Sequence, residues 1–308
     1  MNTKPLVFLA ILATCAVLQA GPLEQRHIAA DAKWLVHLDL DAIRTSQSAK
    51  FLVGAWLQTE PARSHLAGIR TAIGLDLVND LHSITLYGDE LVPDRGVLAV
   101  RASLNRPRVM AFLARQPDFA RKKHDGYELL SWTERRGGQK HTVFGAMHGE
   151  EAIAFSRDAG DLAAALAVLD GKAAHLADSN SLLRGQAPEG AVLLVRASGL
   201  SEAKVALQSP ILRLSETIDL TAGEEAGAAF VEVRLTAESA EHVPHFRDVA
   251  TGLVALARLM RANDDDVLKL LDAVTISTND RTVSARWSGQ LADIFKAAAN
   301  ERFRIQHD

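Results

Sequence analysis

Between residues 33 and 40 the chain alternates, with Trp34, Val36, Leu38 and Leu40 on one parity and Lys33, His37 and Asp39 on the other. Alternation of this kind predicts a strand with one buried face, taken here as the Trp34 side. Asp41 is the expected cap of a helical run over 43–57, which Pro61 interrupts before a second run to residue 73. Two strands over 82–87 and 96–102 come next, and Asn105 precedes a helix over 107–115 whose first-turn Pro107 has no N–H to lose.

The middle of the chain reads as a meander. Segments 119–123 and 127–133 flank His124-Asp125-Gly126, a hairpin signal because Asp-Gly tolerates positive φ. Gly137-Gly138 and Gly149 turn the chain into strands over 142–147 and 152–155, and a helix over 161–169 ends at Gly171. Residues 173–188 are small and polar, and form the best linker candidate. The remainder repeats the order: a strand over 191–197, paired strands over 211–220 and 228–235, and a long helix between 239 and 261. A hairpin over 274–287 turning at Asn279-Asp280 and a helix over 290–299 complete the copy.

An α+β fold follows, with two similar modules at 31–172 and 189–304, each an antiparallel sheet with helices on one face. The repeated order of elements implies an internal duplication, although few residues are shared between the copies. On the long helix Val243, Phe246, Ala250, Leu253, Val254, Ala257 and Met260 share one stripe, read as core packing with a lipid-facing surface as the alternative.

The first twenty residues break the pattern. One basic residue, Lys4, precedes an uncharged apolar run over 5–18 and the small pair Ala20-Gly21, the layout of a secretory signal peptide cleaved after Ala20. The run is shorter than the ~20 residues a membrane-crossing helix needs, so a retained N-terminal anchor is the lesser reading. Cys15, the single cysteine, lies in Leu12-Ala13-Thr14-Cys15, which loosely resembles a lipobox except at Thr14. Cleavage at Ala20 leaves a mature chain without a thiol, which removes zinc-finger, iron–sulfur and cysteine-nucleophile readings. The expected location is the periplasm or the extracellular space, with lipid or N-terminal anchoring as the alternative.

With 34 basic and 38 acidic residues the chain carries no basic excess to neutralise phosphates, which argues against nucleic acid as a partner. No second stretch is apolar for long enough to span a membrane after signal removal.

Among candidate sites, His37, Asp39 and Asp41 are spaced by two and would share one strand face, where two carboxylates and an imidazole suit a hard or borderline metal. A solvated face ending in a helix cap explains the same residues. His242 and His245 are three apart with Glu241 and Asp248 nearby, but Pro244 lies between them. His141 and His148 fall on opposite faces of one strand. Gly-x-Ser-x-Gly, His-Glu-x-x-His, the phosphate-cradling glycine loop and the dinucleotide fingerprint are all missing. No catalytic residue and no cofactor are therefore implied. The pairs Glu150-Glu151 and Glu224-Glu225 sit at expected turns, and Asp264-Asp265-Asp266 suits a helix N-terminus.

The string Ala30-Asp31-Ala32-Lys33-Trp34-Leu35-Val36-His37-Leu38-Asp39, together with Ile84-Thr85-Leu86-Tyr87-Gly88, resembles the start of an uncharacterised family of exported bacterial proteins. The resemblance implies export and supplies no activity. The leading expectation is a non-enzymatic envelope protein that binds a protein or assembly partner. A carrier of a hydrophobic ligand or lipid is second, and a metal-dependent enzyme using His37, Asp39 and Asp41 is third.

Overall fold

The computed structural model describes residues 22–92, 95–200 and 209–294; the signal segment and most of the expected final helix lie outside them. The first half runs β1 (Trp34–Asp39), α1 (Leu40–Thr45), α2 (Gln47–Leu57), α3 (Glu60–Ile73), β2 (Leu81–Gly88), β3 (Val97–Ala102) and α4 (Arg106–Leu113). It continues with β4 (Ala120–His124), β5 (Tyr127–Arg136), β6 (Gln139–His148), β7 (Ala152–Ser156) and α5 (Ala159–Leu169). The second half runs β8 (Ala191–Ser198), α6 (Pro210–Arg213), β9 (Ser215–Glu225), β10 (Ala228–Ala237), α7 (Val243–Met260), α8 (Asp265–Asp272), β11 (Val274–Asn279) and β12 (Thr282–Gly289).

The fold is α+β, and its strands form one antiparallel sheet rather than two separate ones. The order is β11-β12-β10-β9-β8-β1-β2-β3-β7-β6-β5-β4. Outward from the central β1–β8 pair, β1-β2-β3-β7-β6 on one side is matched by β8-β9-β10-β12-β11 on the other. The hairpin β4–β5 is an addition to the first half alone. The match extends to single bonds. Ala102 and Ala237 are both fully buried at the ends of β3 and β10, and their N–H groups donate to Glu151 O and Arg281 O at 2.8 Å each.

Helices pack on both faces, which corrects the expectation of one. The face of β7 bearing Ala154 lies under α5, whose Leu162, Ala165 and Leu166 join Leu35, Tyr87, Val97 and Leu194 in the largest core. The opposite face packs Val100, Ile153, Leu130 and Trp132 against Val109 and Leu113 of α4. On that same opposite face of the second half, Val243 and Phe246 of α7 meet Leu235, Val283 and Ile276. We call the α5 side face A and the α4–α7 side face B. In the first half, helices on opposite faces follow from strands such as β7, whose Ile153 and Ala154 are both buried. A one-sided sheet would leave one of them wet.

Other boundaries shift for local reasons. The helical run expected over 43–57 is two helices, because Ser46 turns to extended φ/ψ and caps α2 through Ala49 N. Asp39, not Asp41, caps α1, accepting from Ala42 N at 2.8 Å. The strand expected from residue 211 starts at Ser215, since Pro210 opens the short α6. The expected linker is packed: Leu176 and Leu183 are buried in the largest core, and Ala29 bridges His175.

Candidate functional site

β1 alternates as expected, but its better-buried parity is the opposite one. Leu35 and His37 are buried while Trp34, Val36 and Leu38 are half-buried. Face A accepts an imidazole because His37 Nδ1 lies 2.9 Å from Thr85 Oγ1 on β2, directly across the ladder. Asp39 shares that face, and burial pushes its carboxyl above the usual range, with the Ala42 N–H and His37 opposing. A cavity of about 70 Å³ beside His37 is lined by His27, His148 and Arg101. Burial lowers His27, which Glu24 partly offsets.

Asp41 does not join His37 and Asp39. It lies in the first turn of α1, and its carboxylate pairs with Arg44 and His82. Among the described residues no three His, Cys, Asp or Glu side chains converge in a way that could hold a metal ion. His148 places Nε2 3.1 Å from Asp170 Oδ1.

The groups that gather around Asp41 form a different set. His82 Nδ1 is 3.2 Å from both Asp41 oxygens, and His82 Nε2 is 3.1 Å from Ser103 Oγ. Asp41 follows β1, His82 is the second residue of β2 and Ser103 follows β3, so three adjacent antiparallel strands bring them to one end of the sheet. Leu81 faces Ala102 while Ser83 faces Arg101, which leaves His82 as an extra residue, a β-bulge. Bulges re-aim side chains, and this one turns His82 toward its two partners. Arg44 fixes Asp41 while its Nη1 donates to Val78 O and Leu81 O, both at 2.9 Å.

Face B has a different character. One cross-strand row reads Leu130, Gly145, Phe155, Leu98, Leu86, Val36, Val195, Leu220, Val233, Ala285 and Ile276. It is apolar from β5 to β11 and centres on the Val36–Val195 pair. The neighbouring row on face A starts apolar at Leu35, Tyr87 and Val97, meets Ser156 and Ser131 around Phe144 farther out in the first half, and turns to Arg196, Asp219, Arg234, Ser284 and Ser277 in the second. Arg196 Nε donates to Asp219 Oδ1 at 2.9 Å, and burial raises Asp219 against the pull of that guanidinium.

The ends of face B are covered by α4 and α7; between them Val36, Val195 and Leu220 are half-buried, and exposure is greatest at Leu86 on β2 and at Val231 on β10. Leu86 is 37% and Val231 40% exposed. Two helices add apolar surface. On α2, Leu52 and Trp56 are 43% and 53% exposed; on α7, Val249, Leu253, Leu256 and Met260 run from 41% to 73%. At 100° per residue these four lie beside the arc carrying Phe246, so the apolar stripe of α7 is wider than its core contact. Among the described residues no helix is long and apolar enough to cross a membrane.

No family model matches the chain. No curated protein matches it either. Solved structures of TP0453 are similar to it: crystal form III at 8% identity and TM-score 0.47, covering 90% of this chain and 98% of that one. Crystal form IV gives 8% identity and TM-score 0.49, covering 91% and 98%, and crystal form I gives 7% and 0.48, covering 92% and 98%.

Proposed function

We propose that this chain is an exported binding protein that takes an amphipathic helix of a protein partner on the middle of face B. The apolar row through Leu86, Val36, Val195 and Leu220 carries the reading. Soluble proteins rarely leave contiguous apolar patches of more than a few hundred Å² open, and those that do use them to dock partners. The exposed stripes of α2 and α7 enlarge the surface, and an amphipathic helix lying in a groove is a common occupant of such a floor. Export rests on the segment around Lys4 and Ala20. The matched strand order of the halves supports descent by internal duplication, which accounts for a row symmetric about Val36 and Val195.

A hydrophobic ligand or lipid is the second reading, favoured by the width of the apolar arc on α7. It too would use the open apolar surface of face B. Photo-crosslinking side chains placed at Leu86 and Val231, with Ser277 on face A as control, test the proposal in the native cell envelope. Discrete protein adducts from the two face B positions are expected. Equal labelling from Ser277, or no protein adduct at all, overturns the reading, and adducts only to lipid transfer it to the second.

A further inference from the structure

We propose that Ser103, His82 and Asp41 form an acyl-transfer site acting on small, activated carboxylic esters at the surface, independent of partner docking on face B. The arrangement is that of a nucleophile, a base and an orienting carboxylate. Ser103 Oγ is within hydrogen-bond reach of His82 Nε2 at 3.1 Å, and the other ring nitrogen is held by Asp41 at 3.2 Å. With Nδ1–H donated to Asp41, Nε2 is left as an acceptor, the tautomer a general base needs. Ser103 is exposed and the His82 side chain retains 19% of its exposure, so an ester can reach the hydroxyl without any opening of the fold.

The pseudo-symmetry of the sheet separates this chemistry from a purely structural role. The corresponding strand pair in the second half also carries a bulge: Ser215 faces Ala237 and Thr217 faces Thr236, leaving Glu216 as the extra residue. Glu216 pairs with Arg281 at 3.0 Å, and Glu238 stands where the first half has Ser103. The fold therefore needs a bulge at this corner, but an ordinary ion pair satisfies it. The His–Ser–Asp chain is peculiar to the first half.

In the proposed step Ser103 Oγ bonds to the acyl carbon as its proton passes to His82 Nε2. The C–O bond to the alcohol then breaks, and His82 returns the proton to the departing oxygen. Water, deprotonated by the same nitrogen, releases the carboxylic acid and restores Ser103. Asp41 is a positioning residue, itself held by Arg44. The helix α4 opens at Arg106, capped by Asn105, so its positive end begins three residues past Ser103. The exposed position of Ser103 suits reactive, short-chain esters.

The test uses the full chain with p-nitrophenyl acetate, reading both release of p-nitrophenol and the intact mass. Wild-type protein should gain one acetyl group, mapped to Ser103, with a rate that rises with pH. Ser103→Ala should abolish the adduct, and His82→Gln should slow acylation about a hundredfold and flatten the pH profile. Asp41→Asn should lower the rate without abolishing the adduct, and melting curves of each variant verify folding. No acetyl on wild-type Ser103, or acylation unchanged in His82→Gln, overturns the proposal.

Discussion

The openness of face B is most directly tested by removing the same three carbons from its two sides. Leu35 on face A is fully buried, and Leu86 on face B, one strand away, is 37% exposed. In Leu35→Ala the lost transfer energy adds to the cost of an unfilled cavity, together about 3 to 4 kcal/mol for a site closed by β2, β8 and α5 neighbours. In Leu86→Ala over a third of the side chain is already wet and solvent fills the space, so the cavity contribution vanishes and about 1 kcal/mol remains. The difference of about 2 to 3 kcal/mol is roughly a 30- to 150-fold change in the folding equilibrium constant.

Urea unfolding followed by far-ultraviolet circular dichroism reads this directly. With a slope of about 3 kcal/mol per molar, Leu35→Ala should move the midpoint down by about 1 M and Leu86→Ala by about 0.3 M, with slopes unchanged. Equal shifts for the two variants would mean that face B is as tightly covered as face A, and the docking argument would fail with it.

Two further predictions concern the frame. Gly190→Ala should be strongly destabilising, by about 2 kcal/mol or more, because φ is +73° and a Cβ would sit 1.9 Å from Glu224 O; a melting temperature within a degree or two of wild type would refute the backbone contact. Hydrogen bonds from Lys172, then Tyr127 and His148, hold the Asp170 carboxyl down to about 2. Its folded value lies below the unfolded one, so the contribution is present above about pH 4 and is lost as pH falls toward 2. Melting temperatures of wild type and Asp170→Asn should therefore differ at neutral pH and converge near pH 2, and a constant gap across that window would contradict the assignment.

Much of the element order was legible because turn chemistry and periodicity are local. Asp125 and Gly126 both take positive φ at the β4–β5 turn, as the Asp-Gly pair requires. The two-face arrangement was harder to see. β7 offers only five residues, too few for periodicity to separate a strand buried on both sides from one buried on one. His37 was read as solvated because polarity stands for exposure in a sequence, whereas its Thr85 partner is found only through the β1–β2 register.

The Asp41–His82–Ser103 set had no motif to betray it. Its members become neighbours through strand pairing and a one-residue bulge, neither of which leaves a fixed spacing. His82 beside Ser83 at a strand start was the one local hint, and it has no specificity by itself. The apolar row on face B is likewise a property of register. Leu86, Val36, Val195 and Leu220 are unremarkable within their own strands and become a surface only when aligned.

The pairing of β1 with β8 also constrains how the chain can mature. While residues 22–170 are present and β8 is not, β1 is a bare sheet margin with backbone donors and acceptors unmet, next to the seam that later becomes the molecule's centre. Such a margin invites a like margin from another molecule, so the nascent first half is the species most open to mispairing. Arrival of β8 closes it with a strand whose apolar register continues that of β1, and among the described strands the sheet then ends at β4 and β11, where Arg121, Lys122 and Lys123 guard one border with charge.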